Sequence, residues 1–418
     1  MVDFALLIVL FSLVGAFVPA SARMWVAPPL SLCLLWLLDW RVPIVAIGLA
    51  AICTYCIRVG FGNVLAVLLV LVLFLLKPVL GYLPENGVGY VGFDSAVLPI
   101  GFSLLVFQAV AICLDSRNGA FSSVLKNINY FSFFAQVPAG PIERGKSFLS
   151  KLGRQSKRVS SRRQRLAVFY LVEGLVFKCW VAEPLFVALD TSEVGFLWGL
   201  LYFVALYADF FSYTQLARCG ALFWGVTLHR NFRNPLAASG VVDFWGRWHI
   251  SLLDWSRKYL LQLQPFSGIA RYLGYSTGRV VVSVSALAFW HGMEVRFLSF
   301  ACVTLGYLFV ERFFNVSVWH GLAKKLLFFS YLGLLGVAFA GVGSFFSFEH
   351  GFLGGVIFSK ASFFGLLFCL MHVFLYHWRS VVVRSLRAPV LLYGFCFLAG
   401  ASYAFPLAPV GLHRYFVY

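Results

Sequence analysis

The stretch Val194–Ala217, VGFLWGLLYFVALYADFFSYTQLA, decides the fold class, because its 24 residues hold a single charged side chain, that of Asp209. A helix needs about 20 apolar residues to cross the hydrocarbon of a bilayer. Comparable apolar segments lie before and after it, at Phe4–Val18, Met24–Trp40, Val42–Ile57, Asn63–Tyr82, Ala96–Leu114, Leu166–Leu189, Val280–His291, Phe297–Val310, Leu326–Phe346, Phe352–Tyr376 and Ala388–Val410. Together they predict an all-α, polytopic membrane protein of roughly 11 transmembrane helices.

The composition of the chain excludes several other classes of protein. Of its 418 residues, 61% are apolar and 12% are charged, whereas soluble proteins carry about 25% charged residues. So few charges could not keep this apolar chain in water, which excludes a soluble domain, a disordered chain and a soluble nucleic-acid binder. The 33 Lys and Arg residues exceed the 16 Asp and Glu residues by 17, an excess that indicates membrane topology, since cytoplasmic loops collect positive charge.

The first apolar segment has one feature of a signal peptide, since Ala20-Ser21-Ala22 imitates a cleavage site. A signal peptide also has a basic N-terminal region. The charged residue before Arg23 is the acidic Asp3. We therefore expect a retained first helix.

The segment Arg144–Arg165 is the strongest topological mark in the chain. It holds nine basic residues and no acidic one, which places it as a loop in the cytoplasm beside anionic lipid. It could also face an anionic substrate, although a loop on the cytoplasmic side needs no such role. Arg379, Arg384 and Arg387 form a weaker mark of the same kind.

Two stretches do not have the pattern of a simple transmembrane helix. Pro138, Gly140 and Pro141 break the aromatic segment Phe131–Phe148, and Leu228–Gln264 mixes polar residues with aliphatic ones. Irregular backbone at membrane depth occurs where protein covers it or where it lines a wet cavity. These stretches predict re-entrant or interfacial helices around a central cavity.

Two histidines, His249 and His291, each follow a tryptophan beside small or polar residues. A lone histidine in a membrane helix more often satisfies its ring on a backbone carbonyl or a serine hydroxyl. A neutral imidazole, with an ordinary pKa near 6.5, could instead deprotonate an alcohol that attacks an acyl thioester. A second polar group could stabilise the oxyanion or orient the acceptor. The other histidines are scattered and suggest no metal site, and the motifs GxSxG, GxxxxGK[ST] and HExxH are absent.

Four blocks of sequence resemble the membrane-bound O-acyltransferase (MBOAT) family, in its bacterial branch of alginate O-acetyltransferase-like and D-alanyl-transfer membrane proteins. They span about residues 131–311 of what we predict to be a single membrane domain, 1–418. The blocks are QVPAGPIER (Gln136–Arg144), EGLVFKCWVAEPL (Glu173–Leu185), YADFFSYTQLA followed by NFRNPLAAS (Tyr207–Ala217 and Asn231–Ser239), and WGRWHISLLDWSRKYL followed by FWHG (Trp245–Leu260 and Phe289–Gly292).

The resemblance implies an activity and an arrangement of substrates. An acyl group, most simply acetyl, would pass from a cytoplasmic thioester through a central tunnel to a hydroxyl of an exported polysaccharide or a partner protein. His291 would be the general base, and His249 would orient substrate or stabilise the oxyanion. The donor would be acetyl-CoA or an acyl carrier protein, with no bound cofactor. The protein would lie in the cell inner (plasma) membrane and work with an extracytoplasmic acetyl-transfer partner.

Further residues in these blocks are candidates for the tunnel or for substrate contact, each with a structural alternative. Asp209 and Tyr213 could instead bond between helices, Asn231 and Asn234 could cap or turn the chain, and Arg247 could pair with Asp243 rather than bind phosphate. The remaining candidates are Gln136, Trp248 and Trp290, of which the two tryptophans could serve packing alone.

The chain departs from the family pattern at several positions, including Gln215 in place of an acidic residue and Gly246 in place of an arginine. These departures affect the acceptor and the partner more than the chemistry. D-alanyl transfer to teichoic acid from a carrier protein is therefore a second possibility. A transporter of a lipid-linked glycan is a third, although the sequence lacks the internal repeats of many transporters.

Overall fold

The computed structural model describes residues 2–72, 101–116, 121–138, 140–153, 159–190, 195–261, 266–291, 295–316 and 321–340. Every regular element in these ranges is helical, which confirms the prediction of an all-α protein there. The predicted segments Phe352–Tyr376 and Ala388–Val410 lie outside the described residues, as does the basic mark at 379–387.

The helices of the described residues include four that are long and apolar enough to cross a membrane: Ala20–Leu38, Arg41–Arg58, Phe196–Phe223 and Gly321–Ala340. Shorter apolar helices occur at Phe4–Phe17, Gly62–Leu71, Phe102–Leu114 and Ser276–Ala288. These helices agree with a membrane protein. The total of about 11 spans and the central tunnel stay predictions.

The chain forms two compact units, each with its own internal contacts. Among the described residues, the first unit comprises 2–173 and 213–229, and the second comprises 174–212 and 230–340. The helices that begin in the first unit are α1 (Val2–Phe17), α2 (Arg23–Leu38), α3 (Arg41–Arg58), α4 (Gly62–Leu71), α5 (Phe102–Leu114), α6 (Val124–Ser132), α7 (Gly145–Leu152) and α8 (Ser161–Val176). Those that begin in the second unit are α9 (Glu183–Asp190), α10 (Phe196–Phe223), α11 (Val241–Trp245), α12 (Ile250–Trp255), α13 (Phe266–Tyr272), α14 (Tyr275–His291), α15 (Val295–Phe313) and α16 (Gly321–Ala340).

An aromatic cluster forms the core of the first unit. The ring of Phe11 on α1 stacks on Trp224 at a centroid distance of 4.9 Å and meets Phe133 edge-on at 5.3 Å. The indole nitrogen of Trp224 donates to the backbone oxygen of Phe11 over 3.0 Å. A Cβ atom at Gly15 would lie 2.6 Å from that nitrogen, so the ring requires glycine one turn further along α1.

Protein covers the irregular stretch after α6. The side chains of Phe133, Phe134 and Gln136 are at most 1% exposed. Gln136 bonds within the turn, because its backbone nitrogen donates to Phe133 O over 2.8 Å and its Nε2 donates to Pro141 O over 3.0 Å. Internal bonds therefore satisfy much of this backbone, as irregular chain at membrane depth requires.

The basic segment Arg144–Arg165 is not all loop, because α7 lies inside it. Phe148 and Leu152 are four residues apart and buried, while Lys146 is exposed. Residues four apart share one face of a helix, so these two apolar side chains hold α7 on the first unit. The prediction of a loop was therefore wrong for these residues, because the many charges of the segment hide its short apolar face.

A buried carboxylate next to α7 ties the basic segment to the first unit. Glu143, 1% exposed, accepts hydrogen bonds from the backbone nitrogen of His229, from His229 Nδ1 at 2.8 Å and from Lys151 Nζ at 3.2 Å. Burial alone would raise the pKa of the Glu143 carboxyl, but the bonds from His229 and the charge of Lys151 bring it below its ordinary value. Glu143 is therefore a structural anion near neutral pH.

Close helix packing shapes the second unit. A Cβ atom at Gly336 on α16 would lie 1.8 Å from the backbone oxygen of Gly199 on α10. Small residues let helices approach in this way inside membranes, where packing replaces the hydrophobic drive. At the start of α11, Glu311 from α15 accepts the backbone N–H of Val241 over 2.7 Å. These contacts join α16 to α10 and α15 to the start of α11, which lies eight residues before His249.

Candidate active site

A short backbone bridge holds the segment that contains His249. The N–H of Arg233 donates to the carbonyl of Arg247 over 3.0 Å, and the N–H of Ile250 donates to the carbonyl of Asn231 over 2.8 Å. A side-chain bond reinforces it, since Ser251 Oγ donates to Asn231 Oδ1 over 2.6 Å. The bridge thus fixes the chain on both sides of Trp248 and His249.

His249 itself adopts the left-handed conformation, with φ 44° and ψ 51°. This conformation costs an L-residue with a side chain roughly 1–2 kcal/mol. Strained backbone of this kind persists where the surroundings over-determine it, and it clusters at functional sites. Asn234, on the other side of the bridge, is also left-handed at φ 51°, but asparagine tolerates that region better.

The imidazole of His249 is half-buried in the second unit, where the ring of Phe210 meets it edge-on at 4.9 Å. Its Nδ1 atom is buried and makes no hydrogen bond to another described residue. His249 lies outside the helices long enough to span a membrane. Burial lowers the pKa of this imidazole to about 4, against a weaker opposing effect of its own backbone. The ring is therefore neutral near pH 7, so one nitrogen donates a hydrogen bond and the other accepts one.

The neighbouring residue, Trp248, is a packing residue. Its ring centroid lies 5.0 Å from that of Phe232, 5.1 Å from that of Phe203 and 5.5 Å from that of Phe244. Trp248 is 8% exposed. Of its two alternatives, packing is the one that the contacts support, and the anchored indole helps fix the backbone of the next residue.

Asp209 bonds between two elements of the second unit. Its carboxylate accepts from Lys178 Nζ over 2.5 Å, and the same ammonium pairs with Glu183 Oε1 at 2.7 Å. Lys178 lies in the π-helical turn Phe177–Ala182 that joins α8 to α9. Asp209 and Lys178 are each at most 3% exposed, so these contacts support the structural alternative for Asp209.

The contacts of the other candidates are those of an ion pair, a turn residue, a packed ring and a buried amide. Arg247 Nε donates to Asp243 Oδ1 over 2.7 Å, so the ion-pair alternative holds for it. Asn234 occupies its left-handed turn position. Tyr213 belongs to the first unit, where its ring lies 5.8 Å from Phe4. Gln136 is the buried turn residue described above, with Oε1 unpaired among the described residues.

The second histidine closes helix α14, whose last residue is His291. The side chains of Trp290 and His291 lie outside the described residues. Their candidate roles therefore remain predictions from the sequence.

A cavity of about 140 Å³ lies among the segments that carry the two histidines. Its lining includes Ile250, the residue after His249, and Ser283, eight positions before His291 on α14. The Ser283 hydroxyl lies 2.8 Å from that of Ser256. Arg257, Arg279 and Asp254 also line the cavity. Arg257 Nη2 pairs with Asp254 Oδ1 at 2.9 Å, so the lining combines apolar side chains with charges of both signs. Within the described ranges, no group of three His, Cys, Asp or Glu residues could hold a metal ion.

Known proteins show similarity to about half of the chain. The chain is 26% identical over 227 residues to the probable alginate O-acetylase AlgI of Pseudomonas putida, which covers 52% of this chain and 46% of that protein. It is 23% identical over 246 residues to the teichoic acid D-alanyltransferase of Bacillus subtilis, covering 53% and 61%. It is 26% identical over 239 residues to the peptidoglycan O-acetyltransferase of Helicobacter pylori, covering 48% and 45%. These relatives are of the kinds that the four sequence blocks resemble, those of the membrane-bound O-acyltransferase (MBOAT) family.

The similarity covers only part of each relative. No protein-family model matches the chain, and the chain spans about half the length of the curated relatives it matches. The similarity to these relatives confirms the resemblance drawn from the four sequence blocks. Activity, substrates and partners are a separate question.

Two residues of the MBOAT blocks gained importance only from the structure. Lys178 stands in the block Glu173–Leu185, and Ser251 follows His249 by two positions. A lysine inside an apolar segment is a signal in itself, because intramembrane charges are costly and are usually paired. No sequence signal marked Ser251, since its acceptor on Asn231 lies 20 residues earlier.

Proposed function

We propose that this protein is an O-acyltransferase of the inner membrane that moves an acyl group, most simply acetyl, from a cytoplasmic thioester to a hydroxyl acceptor outside. The observation that carries the proposal is the environment of His249. A neutral, half-buried imidazole, whose buried Nδ1 makes no hydrogen bond to another described residue, is held in a strained conformation at one of the two histidine motifs. Relatives named O-acetylase and O-acetyltransferase support the reaction class.

The proposed reaction needs one base and one hydrogen-bond donor. His291 accepts the proton of the acceptor hydroxyl while the oxygen attacks the thioester carbonyl. The N–H of neutral His249 orients the carbonyl or stabilises the oxyanion. The C–S bond then breaks, an oxygen ester remains, and the proton passes from His291 to the thiolate. The protein supplies no nucleophile of its own, so both substrates are bound together.

The proposal includes the parts that the described residues leave open. About 11 membrane-spanning helices would surround a tunnel from the cytoplasmic donor, acetyl-CoA or an acyl carrier protein, to the outer surface. The acceptor would be an exported polysaccharide or an extracytoplasmic partner that passes the acyl group on. The basic segment Arg144–Arg165 would lie on the cytoplasmic side, in keeping with the excess of positive charge there.

The test is the ester acetate content of the envelope polysaccharide from cells that carry His291→Ala or His249→Ala. Loss of a general base lowers rate by about 10²–10⁴, and loss of an oxyanion donor by about 10²–10³. Tyr272→Ala is the control, because Tyr272 is 88% exposed and lies outside both motifs. Normal acetate in His291→Ala at equal membrane abundance would overturn the proposed base.

D-alanyl transfer to teichoic acid is a second candidate, favoured by one observation. The alignment covers 61% of the Bacillus subtilis D-alanyltransferase but 46% of the Pseudomonas putida alginate O-acetylase. Mild alkali releases both kinds of ester from the envelope, and chromatography distinguishes D-alanine from acetate. Release of D-alanine that depends on His291 would select this candidate over acetyl transfer.

A further inference from the structure

A buried guanidinium stands at the turn between α1 and α2, in the first unit. Arg23 is the first residue of α2 and is 3% exposed. Its Nε atom is enclosed and has no hydrogen-bond partner among the described residues. An arginine stays charged under all ordinary conditions, and removing a charge from water is costly unless a partner compensates it.

The charged groups of the described residues do not compensate Arg23. The one that acts on it is the like-charged Arg163, an exposed residue of α8. The N-terminal end of α2 adds the partial positive charge of its helix dipole. No carboxylate of the described residues therefore balances the guanidinium.

A glycine, Gly225, leaves space next to the guanidinium of Arg23. A Cβ atom at Gly225 would lie 2.5 Å from Nη1 of Arg23. Gly225 also has φ 79°, a conformation that side-chain-bearing residues rarely adopt. The guanidinium is thus seated against a backbone position that only glycine fits.

Exposed apolar side chains flank the same turn. Phe17, at the end of α1, is 86% exposed, and Trp25, two residues after Arg23, is 68% exposed. Tryptophan is enriched at the level of lipid headgroups. Both observations favour a lipid over a water-soluble ligand as the source of the missing anion.

We propose that Arg23 binds the phosphate of an anionic phospholipid headgroup at the turn between α1 and α2. The planar guanidinium can donate two parallel hydrogen bonds to phosphate oxygens. Arg163 adds attraction for the same headgroup from the neighbouring helix. The site is separate from the proposed acyl transfer, so each can fail without the other.

The experiment compares wild-type protein with Arg23→Met in lipid-free detergent and in nanodiscs of phosphatidylcholine with or without phosphatidylglycerol. Methionine keeps an unbranched apolar stem and removes the charge. We expect phosphatidylglycerol to raise the Tm of the wild type and to leave the Tm of Arg23→Met unchanged. Native mass spectrometry should show one retained phosphatidylglycerol on the wild type and none on the variant. Arg165→Ala, which removes an exposed charge from α8, should retain the lipid.

Three results would overturn the proposal. The first is equal lipid retention by wild type and Arg23→Met. The second is a rise in Tm with phosphatidylglycerol that is as large for Arg23→Met as for the wild type. The third is an equal rise in Tm with soluble inorganic phosphate or adenosine 3′,5′-bisphosphate, which would assign the anion to a soluble phosphate rather than to a lipid.

Discussion

Replacing Asn231 with alanine removes the acceptor of the Ser251 hydroxyl, a bond of 2.6 Å beside His249. Ser251 is 4% exposed, and a buried hydrogen bond of this kind contributes about 0.5–1.5 kcal/mol. The Asn231 amide nitrogen, which has no partner among the described residues, disappears at the same time and offsets part of that loss. We therefore expect a net loss of about 0.5–1 kcal/mol in the free energy of unfolding.

The same change should loosen the backbone that holds His249. A misplacement of about 1 Å in a catalytic group can lower the rate by about 100-fold. We accordingly expect Asn231→Ala to lower acyl transfer by about 10- to 100-fold. Thermal unfolding in detergent measures the first effect, and alkali-released acetate at equal membrane abundance measures the second.

A double variant separates the hydrogen bond from general damage. Each single variant removes the same Asn231–Ser251 hydrogen bond, so the stability loss of the double variant Asn231→Ala with Ser251→Ala should be smaller than the sum of the two single losses. Residues in direct contact couple by about 0.5–3 kcal/mol. Strict additivity, or an Asn231→Ala variant with normal stability and normal transfer, would refute the role given to this bridge.

Four further variants test other features of the structure. His249→Asn and His249→Val should both abolish transfer. The valine variant should also be less stable than the asparagine variant by more than about 1 kcal/mol, because asparagine tolerates a left-handed backbone and a β-branched residue does not. Equal Tm values for the two variants would contradict the strained conformation. Lys178→Met should cost about 3–5 kcal/mol in unfolding free energy, because it leaves Asp209 buried without its cation; an unchanged Tm would contradict the pairing. The lowered pKa of Glu143 stabilises the protein above the unfolded-state pKa of about 4.3, and this contribution is lost as pH falls through the lower folded-state pKa. The Tm difference between wild type and Glu143→Gln should therefore shrink below about pH 4, and a difference that is constant from about pH 5 to about pH 2 would argue against it.

The lengths of the apolar segments predicted the bounds of α3 closely, but they did not predict the irregular turn inside a later segment. The predicted segment Val42–Ile57 corresponds to helix Arg41–Arg58, one residue longer at each end. Leu166–Leu189 was predicted as one segment, yet a π-helical turn at Phe177–Ala182 interrupts it. That turn contains Lys178, whose partner Asp209 lies 31 residues away. The hydrophobic periodicity of a short stretch of sequence cannot predict an ion pair between residues so far apart in the chain.

The candidate site shows the same division between local and distant information. The Trp-His motif marked His249 as a residue of interest from sequence alone. Its left-handed backbone depends on the bridge to Asn231 and Arg233, which forms only after residues well separated in sequence meet. Arg247 and Asp243, four residues apart, were open to prediction as a helical ion pair, and the structure shows that pair.

The most direct test of the central claim is acetyl transfer in membrane vesicles supplied with isotopically labelled acetyl-CoA. Wild type, His249→Asn and His291→Ala would be compared at equal membrane abundance, with Tyr272→Ala as control. We expect labelled ester on the envelope acceptor for the wild type and for Tyr272→Ala, and a loss of at least about 100-fold for both histidine variants. Undiminished labelled ester in either histidine variant would contradict the proposed roles of these residues.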